Sequence, residues 1–445
     1  MDGVTMMSDL PDHILRLILS RLPSTEEVHR TSILSKRWRY LWTSIPSIDT
    51  NFTRKNHRKS YDIDKFEDFV YWVLATKSSD LDSFRLCYPE YYRMSRVDQW
   101  IRIAVMRKVK VVDLMIYPSV RSKDIEIPYC LVSCGSLEVL RLGLFDHRLS
   151  FPLFNGFRAL RVLELTRVKL TDGGLLQHFF EQSCPSLEEL SFLHCTLCQL
   201  GYLKIPCPNL KKLRIDNRNT DTDTDIDRDG FLYSGVWISC PKLVFLELGG
   251  HVADSFSLKS LDFLKKVVIH PEDLDEYEIS YEPTGESISS LFAQISHVEF
   301  MSLSHYFFKE LDVQVPPPNL KTLELTTTLD AYNMDVLIKF VLCFPDLESL
   351  HLIIREVSFT EAHWNRYKGK AMRVLGPCLK RVEFLQFKGE RVKLIMVRSL
   401  LKHGNVLEKM VFNWHNYYRY KSVKIMKNVS KFSKASSTVK LVTLI

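Results

Sequence analysis

Residues 184–193 read Cys-Pro-Ser-Leu-Glu-Glu-Leu-Ser-Phe-Leu, and the fold of the chain depends on what this stretch encodes. Apolar residues occupy positions 1, 4 and 6 of a six-residue window that begins at Leu187. The residue between the last two apolar positions is polar, and this alternation predicts a short strand with one buried face. A Cys-Pro-x-Leu turn precedes the window, as it also does at Cys207 and Cys240.

The same window recurs along most of the chain. Successive starts are 21 to 35 residues apart, and most intervals fit the period of about 20 to 29 residues that is typical of leucine-rich repeats. One repeat cannot bury its apolar side alone, so stacked repeats share a core beneath a curved parallel sheet. We therefore predict an α/β fold with a repeat solenoid over residues 79–358. The window starts are Leu81, Val109, Leu137, Leu160, Leu187, Leu210, Leu243, Leu264, Ile295, Leu320, Leu347, Val382 and Leu407.

Four cysteines lie three residues before a window start: Cys134, Cys184, Cys207 and Cys240. This regularity predicts a turn at which a helical arm ends and a buried strand begins. A cysteine in such a turn acts as a small hydrophobic residue. The ten cysteines are expected to be reduced thiols, because the N-terminus has no secretory signal.

The residue between the last two apolar positions of each window should point to the open face of the sheet, because strand side chains alternate. Arginines precede glutamates along this column, which would suit a charged protein partner. Most of these residues are equally well explained as solvated strand positions. The candidate target-binding residues are Arg85, Arg141, Glu164, Arg214, Glu247, Glu299, Glu324 and His351.

Residues 10–42 predict three short helices with apolar faces. Proline at position 11 suits a first helical turn, and Pro23 ends the first apolar face. A module of about 40 residues buries little surface by itself. Its apolar faces, which include Trp38 and Trp42, therefore suggest that a partner completes its core.

The sequence of this module closely resembles the plant F-box, notably in Leu10-Pro11-Asp12, in Ile18 to Pro23 and in Thr31 to Trp42. The resemblance implies a three-helix F-box over residues 5–50 that binds a Skp-type adaptor and, through it, a cullin scaffold. Residues 51–78 are interpreted as a linker or first helical cap. The positions that the resemblance assigns to adaptor binding are Leu10, Pro11, Ile14, Leu15, Ile18, Leu22, Val28, Leu34, Trp38 and Leu41.

Residues 360–445 resemble the FBD domain that follows F-box and leucine-rich repeat regions in plant proteins. Their pattern predicts a strand near Val382, an amphipathic helix that ends at Gly404, and a strand at Leu407. This strand-helix-strand segment is expected to cap the solenoid.

Two motifs resemble metal sites but lack the necessary ligands. Aspartates alternate from Asp221 to Asp229, yet the twelfth position counted from Asp225 is Val236, where a calcium loop needs glutamate. An acidic loop is predicted instead. Cys195 and Cys198 have no second pair at zinc-ribbon spacing. Motifs for nucleotide, metalloprotease or serine-hydrolase chemistry are missing as well. We expect neither a catalytic residue nor a metal nor a cofactor, and we expect that the protein is not an enzyme.

Charge and hydropathy limit the remaining partners. A net charge of +7 over 445 residues is mild, so nucleic acid is not expected. No apolar stretch approaches the roughly 18 residues that span a bilayer, so no membrane partner is expected. The predicted location is intracellular, cytoplasmic or nuclear.

The resemblance implies the substrate-recognition subunit of an SCF-type E3 ubiquitin ligase, whose solenoid holds a target protein. Two alternatives stay open. One is a small-molecule receptor with a ligand pocket in the repeats, and the other is a scaffold that binds the adaptor without directing degradation.

Overall fold

The computed structural model describes residues 10–51, 63–88, 94–116, 124–152, 156–197, 200–216, 235–250, 253, 255–270, 285–295, 297–304, 319–344, 346–357 and 360–444. They divide into two compact units. The first comprises Met1–Tyr233 and Trp237–Cys240, and the second Ser234–Val236 and Pro241–Ile445. The aspartate-rich loop from Asp221 to Gly230 and the residue Cys198 lie outside the described residues.

The N-terminal module, residues 10–42, contains the three predicted helices. These are Asp12–Ser20, Thr25–Arg30 and Lys36–Leu41, and 3-10 turns follow at Thr31–Ile33 and Trp42–Ser44. Serines begin the second and third helices. The hydroxyl oxygens of Ser24 and Ser35 each accept a backbone N–H three residues on, at 3.4 Å, which satisfies amides that a helix start leaves open.

The first unit continues into a parallel sheet whose order is β1-β2-β3-β5-β6-β7-β9, with β4 paired to β5. Helices on the chain between these strands are Ile63–Thr76, Met94–Met106, Tyr129–Val132 and Gly173–His178. The strands are β1 Ser47–Asn51, β2 Ser83–Tyr88, β3 Val111–Ile116, β4 Ile125–Glu126, β5 Val139–Ser150, β6 Val162–Lys169, β7 Glu189–Leu193, β8 Tyr202–Ile205 and β9 Lys212–Asp216.

The second unit repeats this architecture, with strands in the order β11-β13-β14-β15-β16-β17-β18-β19. Its helices are Gly285–Gln294, Ala331–Leu342, Glu361–Cys378, Arg391–His403 and Ser422–Val429. The remaining strands are β10 Gly235–Ser239, β11 Phe245–Gly249, β12 Ser255–Lys259, β13 Lys266–His270, β14 Phe300–Ser304, β15 Thr322–Leu329, β16 Ser349–Val357, β17 Arg381–Phe387, β18 Lys409–Trp414 and β19 Lys440–Leu444.

The cysteine turns form as predicted. The backbone N–H groups of Leu137, Leu187 and Leu210 donate to the carbonyl oxygens of the cysteines three residues earlier, at 3.2 to 3.4 Å. The elements before the turns are not all helical, however. Strands β8 and β10 precede Cys207 and Cys240, so a helical arm is replaced by an extended one in two of the four repeats.

Two repeats are displaced from the predicted windows. Strand β14 buries Met301 and Leu303 completely, so its window begins at Val298 and not at Ile295. Strand β17 pairs Val382 with Leu350, so its window begins at Leu379. In both places the sequence fits two apolar windows whose starts are three residues apart. Pairing with the neighbouring strand determines which of the two windows is buried.

The sheet also begins earlier than the predicted start at Leu81. Strand β1 pairs in parallel with β2, and its inward positions are Ile48 and Thr50, both 0% exposed. Thr50 stands where the pattern requires an apolar residue, which hides this repeat from a search for apolar periodicity. The buried Thr50 hydroxyl donates to the Arg85 carbonyl at 3.4 Å.

The C-terminal segment continues the sheet of the second unit. Strands β17 and β18 extend it in parallel from β16, and helix Arg391–His403 lies between them in sequence, as predicted. The segment is longer than a strand-helix-strand cap. Helix Ser422–Val429 and strand β19 were missed, because β19 is only half-buried along its length and lacks a clear apolar pattern.

The core of the N-terminal module is completed by the chain itself. Trp38 and Trp42 are 1% and 3% exposed, and the Trp42 ring lies 5.1 Å from the ring of Trp72 on helix Ile63–Thr76. The Asp49 N–H of β1 donates to the Thr25 hydroxyl at 2.8 Å. The expectation that a partner covers these tryptophans is therefore wrong, since both are buried within the chain itself, and Trp72, 30 residues from Trp42 in sequence, packs on Trp42.

Lys77 links the helix that carries Trp72 to the end of the N-terminal module. Its buried ammonium donates to the carbonyl oxygens of Ile45 at 2.8 Å and Trp42 at 3.2 Å, and it lies 5.3 Å from the Trp42 ring centroid. Burial, with a smaller contribution from repulsion by Arg107, lowers the pKa of Lys77 from 10.5 to about 8.

The lowered pKa predicts a pH dependence of stability. Between about pH 8 and pH 10.5 the unfolded chain holds a proton on Lys77 that the folded chain has released, so the free energy of unfolding rises with pH in this window. Relative to the Lys77→Met variant, we expect the wild type to gain up to about 3 kcal/mol across it. Urea unfolding of both proteins at several pH values measures the difference. A difference that stays flat or falls would show that Lys77 remains charged in the folded protein.

Candidate functional site

The residues assigned to adaptor binding divide between the interior and the surface of the N-terminal module. Leu15, Val28, Trp38 and Leu41 are 0 to 6% exposed. They form the core of the module and are not available to a partner. Of the others, Pro11 and Leu34 are exposed, and Leu10, Ile14, Ile18 and Leu22 are half-buried.

Three exposed apolar residues of the module were missed by sequence reasoning. Leu17, Ile33 and Tyr40 are 54%, 86% and 72% exposed, and Leu34 beside them is 57% exposed. Leu17 stands on the side of its helix opposite to the buried Leu15 and Leu19, outside the apolar face defined by periodicity. Leu17 is apolar at a position where the helical period predicts a polar residue, and this mismatch could have identified it from the sequence.

An exposed ion pair joins two helices of the module. The Arg37 guanidinium Nε donates to Asp12 Oδ1 at 2.8 Å, which joins the first helix to the third. The four exposed side chains Leu17, Ile33, Leu34 and Tyr40, here called the apolar docking surface, lie on the first and third helices and at the 3-10 turn between the second and third helices.

In the first unit the predicted column lies on one face of the sheet and alternates in charge. Registered pairing places Asp49, Arg85, Asp113, Arg141 and Glu164 side by side. Arg85 lies 3.8 Å from Asp49 and 3.2 Å from Asp113, and Arg141 lies 3.9 Å from Glu164. Neighbouring charges compensate one another through these ion pairs, so this part of the column carries little net charge.

The column continues through Ser191 to Arg214 in the first unit. In the second unit Glu247 pairs with Val268, which pairs with Ser302. Seven of the eight candidate target-binding residues thus lie in the column. Glu299 does not, because the displaced window puts Ser302 in its place.

A half-buried cluster lies in the column of the second unit, where Glu324, His351 and Glu383 are in register on β15, β16 and β17. His351 Nδ1 lies 3.7 Å from Glu324 Oε2, and His351 Nε2 lies 4.0 Å from Glu383 Oε2. The Ser302 hydroxyl donates to Glu324 at 2.9 Å. The interaction with the neighbouring His351 imidazole, aided by the hydrogen bond from Ser302, outweighs burial and lowers the pKa of Glu324. Glu383 was missed because its window was displaced by three residues.

The buried cysteines are chemically quiet. Burial raises the pKa of the thiols of Cys184, Cys195 and Cys240 to about 12, so these thiols stay protonated at neutral pH and are poor nucleophiles. Cys195 and Cys240 donate to the carbonyl oxygens of Leu165 and Ile205 at 3.3 and 3.4 Å. Each thiol is thus used in packing between repeats.

The described residues contain neither a group of metal-ligating side chains nor a membrane-spanning helix. Among the residues with described positions, no three His, Cys, Asp or Glu side chains are grouped so that they could hold a metal ion. Within the same part of the chain, every helix is too short or too polar to cross a membrane.

Comparison with known proteins agrees with this architecture. The F-box domain model matches residues 7–49, and the model described as the At1g61320/AtMIF1 LRR domain matches residues 73–441. The second match extends through most of the C-terminal segment, in agreement with its continuation of the sheet.

Curated relatives align over the full length of the chain. "F-box/LRR-repeat protein 13" of Arabidopsis thaliana is 27% identical over 100% of this chain and 97% of its own length. "FBD-associated F-box protein At5g22730" and "F-box/FBD/LRR-repeat protein At1g78750", from the same plant, are 26% and 27% identical over 99% of this chain and 95% and 96% of theirs. With a three-helix module that matches the F-box and a parallel repeat sheet that matches the LRR domain over more than half of the chain, this protein belongs to the plant F-box/FBD/LRR-repeat family.

Proposed function

We propose that this protein is the substrate-recognition subunit of an SCF-type E3 ubiquitin ligase. The F-box would bind a Skp-type adaptor, which links it to a cullin scaffold, and the open face of the sheet would hold a target protein. The observation that carries the proposal is the apolar docking surface. Four large apolar side chains are 54 to 86% exposed within a module of 33 described residues.

Exposed apolar side chains that are clustered in so short a segment are unfavourable in water unless a partner covers them. The interior of the module is already filled by Leu15, Trp38 and Trp42, so the docking surface does not need to form on binding. Preorganisation of this kind lowers the entropic cost of association. The half-buried Ile14 and Ile18 are proposed to line the edge of the interface.

The target would be held by the column on the open face. In the first unit, the ion pairs of Arg85 and Arg141 must be exchanged for pairs with the target, which favours a partner whose own charges alternate. In the second unit, Glu383 is already paired with Arg381 at 2.7 Å, so the carboxylate of Glu324 beside His351 is the group that favours a basic residue of the target. Catalysis would rest with the conjugating enzyme, and the protein would raise the effective concentration of target lysines near it.

The docking surface is tested by replacing Ile33 and Leu34 with serine in the full-length chain. We expect a loss of at least about 30-fold in affinity for a purified Skp-type adaptor, since two exposed apolar anchors at the centre of an interface commonly contribute more than 2 kcal/mol. Isothermal calorimetry measures the affinity. The fold should be unaffected, because neither side chain is part of the core.

The matched control replaces Met106 and Tyr129, which are 83% and 67% exposed and lie outside the F-box, with serine. This variant should bind the adaptor like the wild type. Unchanged binding by the Ile33/Leu34 variant would refute the docking surface. If the adaptor binds but a reconstituted ligase ubiquitinates no co-purified protein, the protein is a scaffold and not a substrate receptor.

A further inference from the structure

Positive charge is concentrated in residues 361–445. This segment contains 19 Lys and Arg residues and 4 Asp and Glu residues. The preceding 360 residues contain 41 Lys and Arg residues and 49 Asp and Glu residues. The formal charges are therefore +15 and −8, which together give the net +7 of the chain. The mild net charge is the sum of two parts of opposite sign. Nucleic acid was not expected because the net charge is mild, and this reason does not hold for residues 361–445.

Ten of these 19 cations lie on three helices of the second unit. Helix Glu361–Cys378 packs on Arg391–His403, which contacts Ser422–Val429. Besides Arg398, whose guanidinium lies 4.6 Å from the Phe432 ring centroid, six exposed cations on these helices form no ion pair with any described residue, so their positive potential is not cancelled locally. They are Arg366, Lys370, Arg373, Lys402, Lys424 and Lys427.

A cleft of about 460 Å³ opens between the first two of these helices. Arg373 and Lys402 line it together with Lys368 and His403, and none of its lining residues is acidic. The amides of Asn365 and Asn405 complete the lining, and an amide can both donate and accept hydrogen bonds. Cations beside amides suit a phosphate group next to the polar edge of a base.

Exposed aromatic side chains are interleaved with the cations. Tyr417 and Tyr420 are 73% and 72% exposed, and they lie in the 3-10 segment Asn416–Lys421 directly before the third helix. The Lys421 ammonium lies 5.4 Å from the Tyr420 ring centroid. Exposed rings beside unpaired cations are the combination on which unstacked bases and their phosphates bind.

We propose that this basic aromatic surface, formed by residues 365–427, binds single-stranded nucleic acid. The phosphates would contact the exposed cations, and bases would stack on Tyr417 and Tyr420. The proposal does not depend on the proposed ubiquitin-ligase function, since the F-box lies in the other unit.

Two other polyanions fit the surface less well. Carboxylates of an acidic polypeptide are best bound by bidentate arginine, but four of the six unpaired cations are lysines, and such a polypeptide offers no bases for the tyrosines. An anionic membrane is best bound by a helix that inserts large apolar side chains. In helix Ser422–Val429, which is described throughout, Val423 is the one large apolar side chain that is exposed.

The test measures binding of the full-length protein to fluorescein-labelled 20-mers of oligo(U) and oligo(dT) by fluorescence anisotropy. With about six phosphates neutralised at roughly 0.7 counterions each, the affinity should fall by about 10²- to 10³-fold between 50 and 200 mM salt. Replacing Arg373, Lys402, Lys424 and Lys427 with alanine should lower the affinity at least about tenfold at the lower salt and flatten the salt dependence. Tighter binding of either oligonucleotide distinguishes RNA from DNA, and both outcomes support the proposal.

A matched control replaces four exposed lysines outside the segment, Lys204, Lys259, Lys265 and Lys321, with alanine, and it should bind like the wild type. Replacing Tyr417 and Tyr420 with alanine should lower the affinity about tenfold or more and leave the salt dependence unchanged. The proposal is overturned if neither oligonucleotide binds, if the control variant loses as much affinity as the test variant, or if the tyrosine variant binds normally. Tighter binding to a 20-residue polyglutamate or to phosphatidylserine vesicles would assign the surface to an acidic polypeptide or a membrane instead.

Discussion

Replacing Phe384 with alanine is expected to lower the free energy of unfolding of the second unit by about 3 to 5 kcal/mol. Phe384 is 1% exposed, and its ring stacks on that of Phe412 at a centroid distance of 5.8 Å. It also lies 5.7 Å from the Phe387 ring. Alanine would leave a cavity between β17 and β18 that the surrounding aromatic rings cannot fill, so the loss of packing adds to the loss of burial.

Urea unfolding followed by circular dichroism measures this change. The same substitution at Phe263, which is 61% exposed, is the matched control and should change the free energy by no more than about 0.5 kcal/mol. Equal effects of the two substitutions would mean that the aromatic cluster of β17 and β18 is not a core. They would contradict the conclusion that the C-terminal segment is part of the second unit.

Ending the chain after residue 360 is expected to give a poorly soluble protein with a broad, less cooperative melt. Strand β16 would lose the pairing with β17, and Leu350, Leu352 and Ile354, which are 2 to 3% exposed, would lose their cover. An open edge with apolar side chains favours aggregation. Much of the stability of a repeat array comes from the interfaces between neighbouring repeats, so the preceding repeats should be weakened as well.

Sedimentation and thermal melting measure the effect of the truncation. Adaptor binding should persist, because the apolar docking surface lies in the other unit. A truncated protein that stays monomeric and melts like the full chain would show that residues 361–445 are an independent domain.

Local pattern alone was enough to predict the class of fold. Most strands of the repeat sheet have their own apolar window, and each cysteine turn has its own Cys-x-x-Leu spacing, so these elements could be predicted without knowledge of their neighbours. The same holds for the three N-terminal helices, because their apolar faces and the serine caps of the second and third helices are encoded within about 30 residues. Short-range hydrogen bonding and burial of one face require no distant partner.

Tertiary packing decided what local pattern left ambiguous. The windows of β14 and β17 start at Val298 and Leu379 because pairing with the neighbouring strands fixes one of the two registers that the sequence allows. Thr50 could take an apolar position because a carbonyl of β2 accepts its hydroxyl hydrogen, which is a contact between residues 35 apart.

The functional surfaces depended most on tertiary structure. Periodicity showed that the F-box has apolar faces, but only tertiary packing, such as that of Trp72 on Trp42, determined that Trp38 and Trp42 are buried while Ile33 and Tyr40 are exposed. The sequence by itself therefore determined the repeat array and the helical module, since these rest on contacts close along the chain. The tertiary structure alone decided which apolar residues remain for a partner, because exposure depends on every distant segment that packs against them.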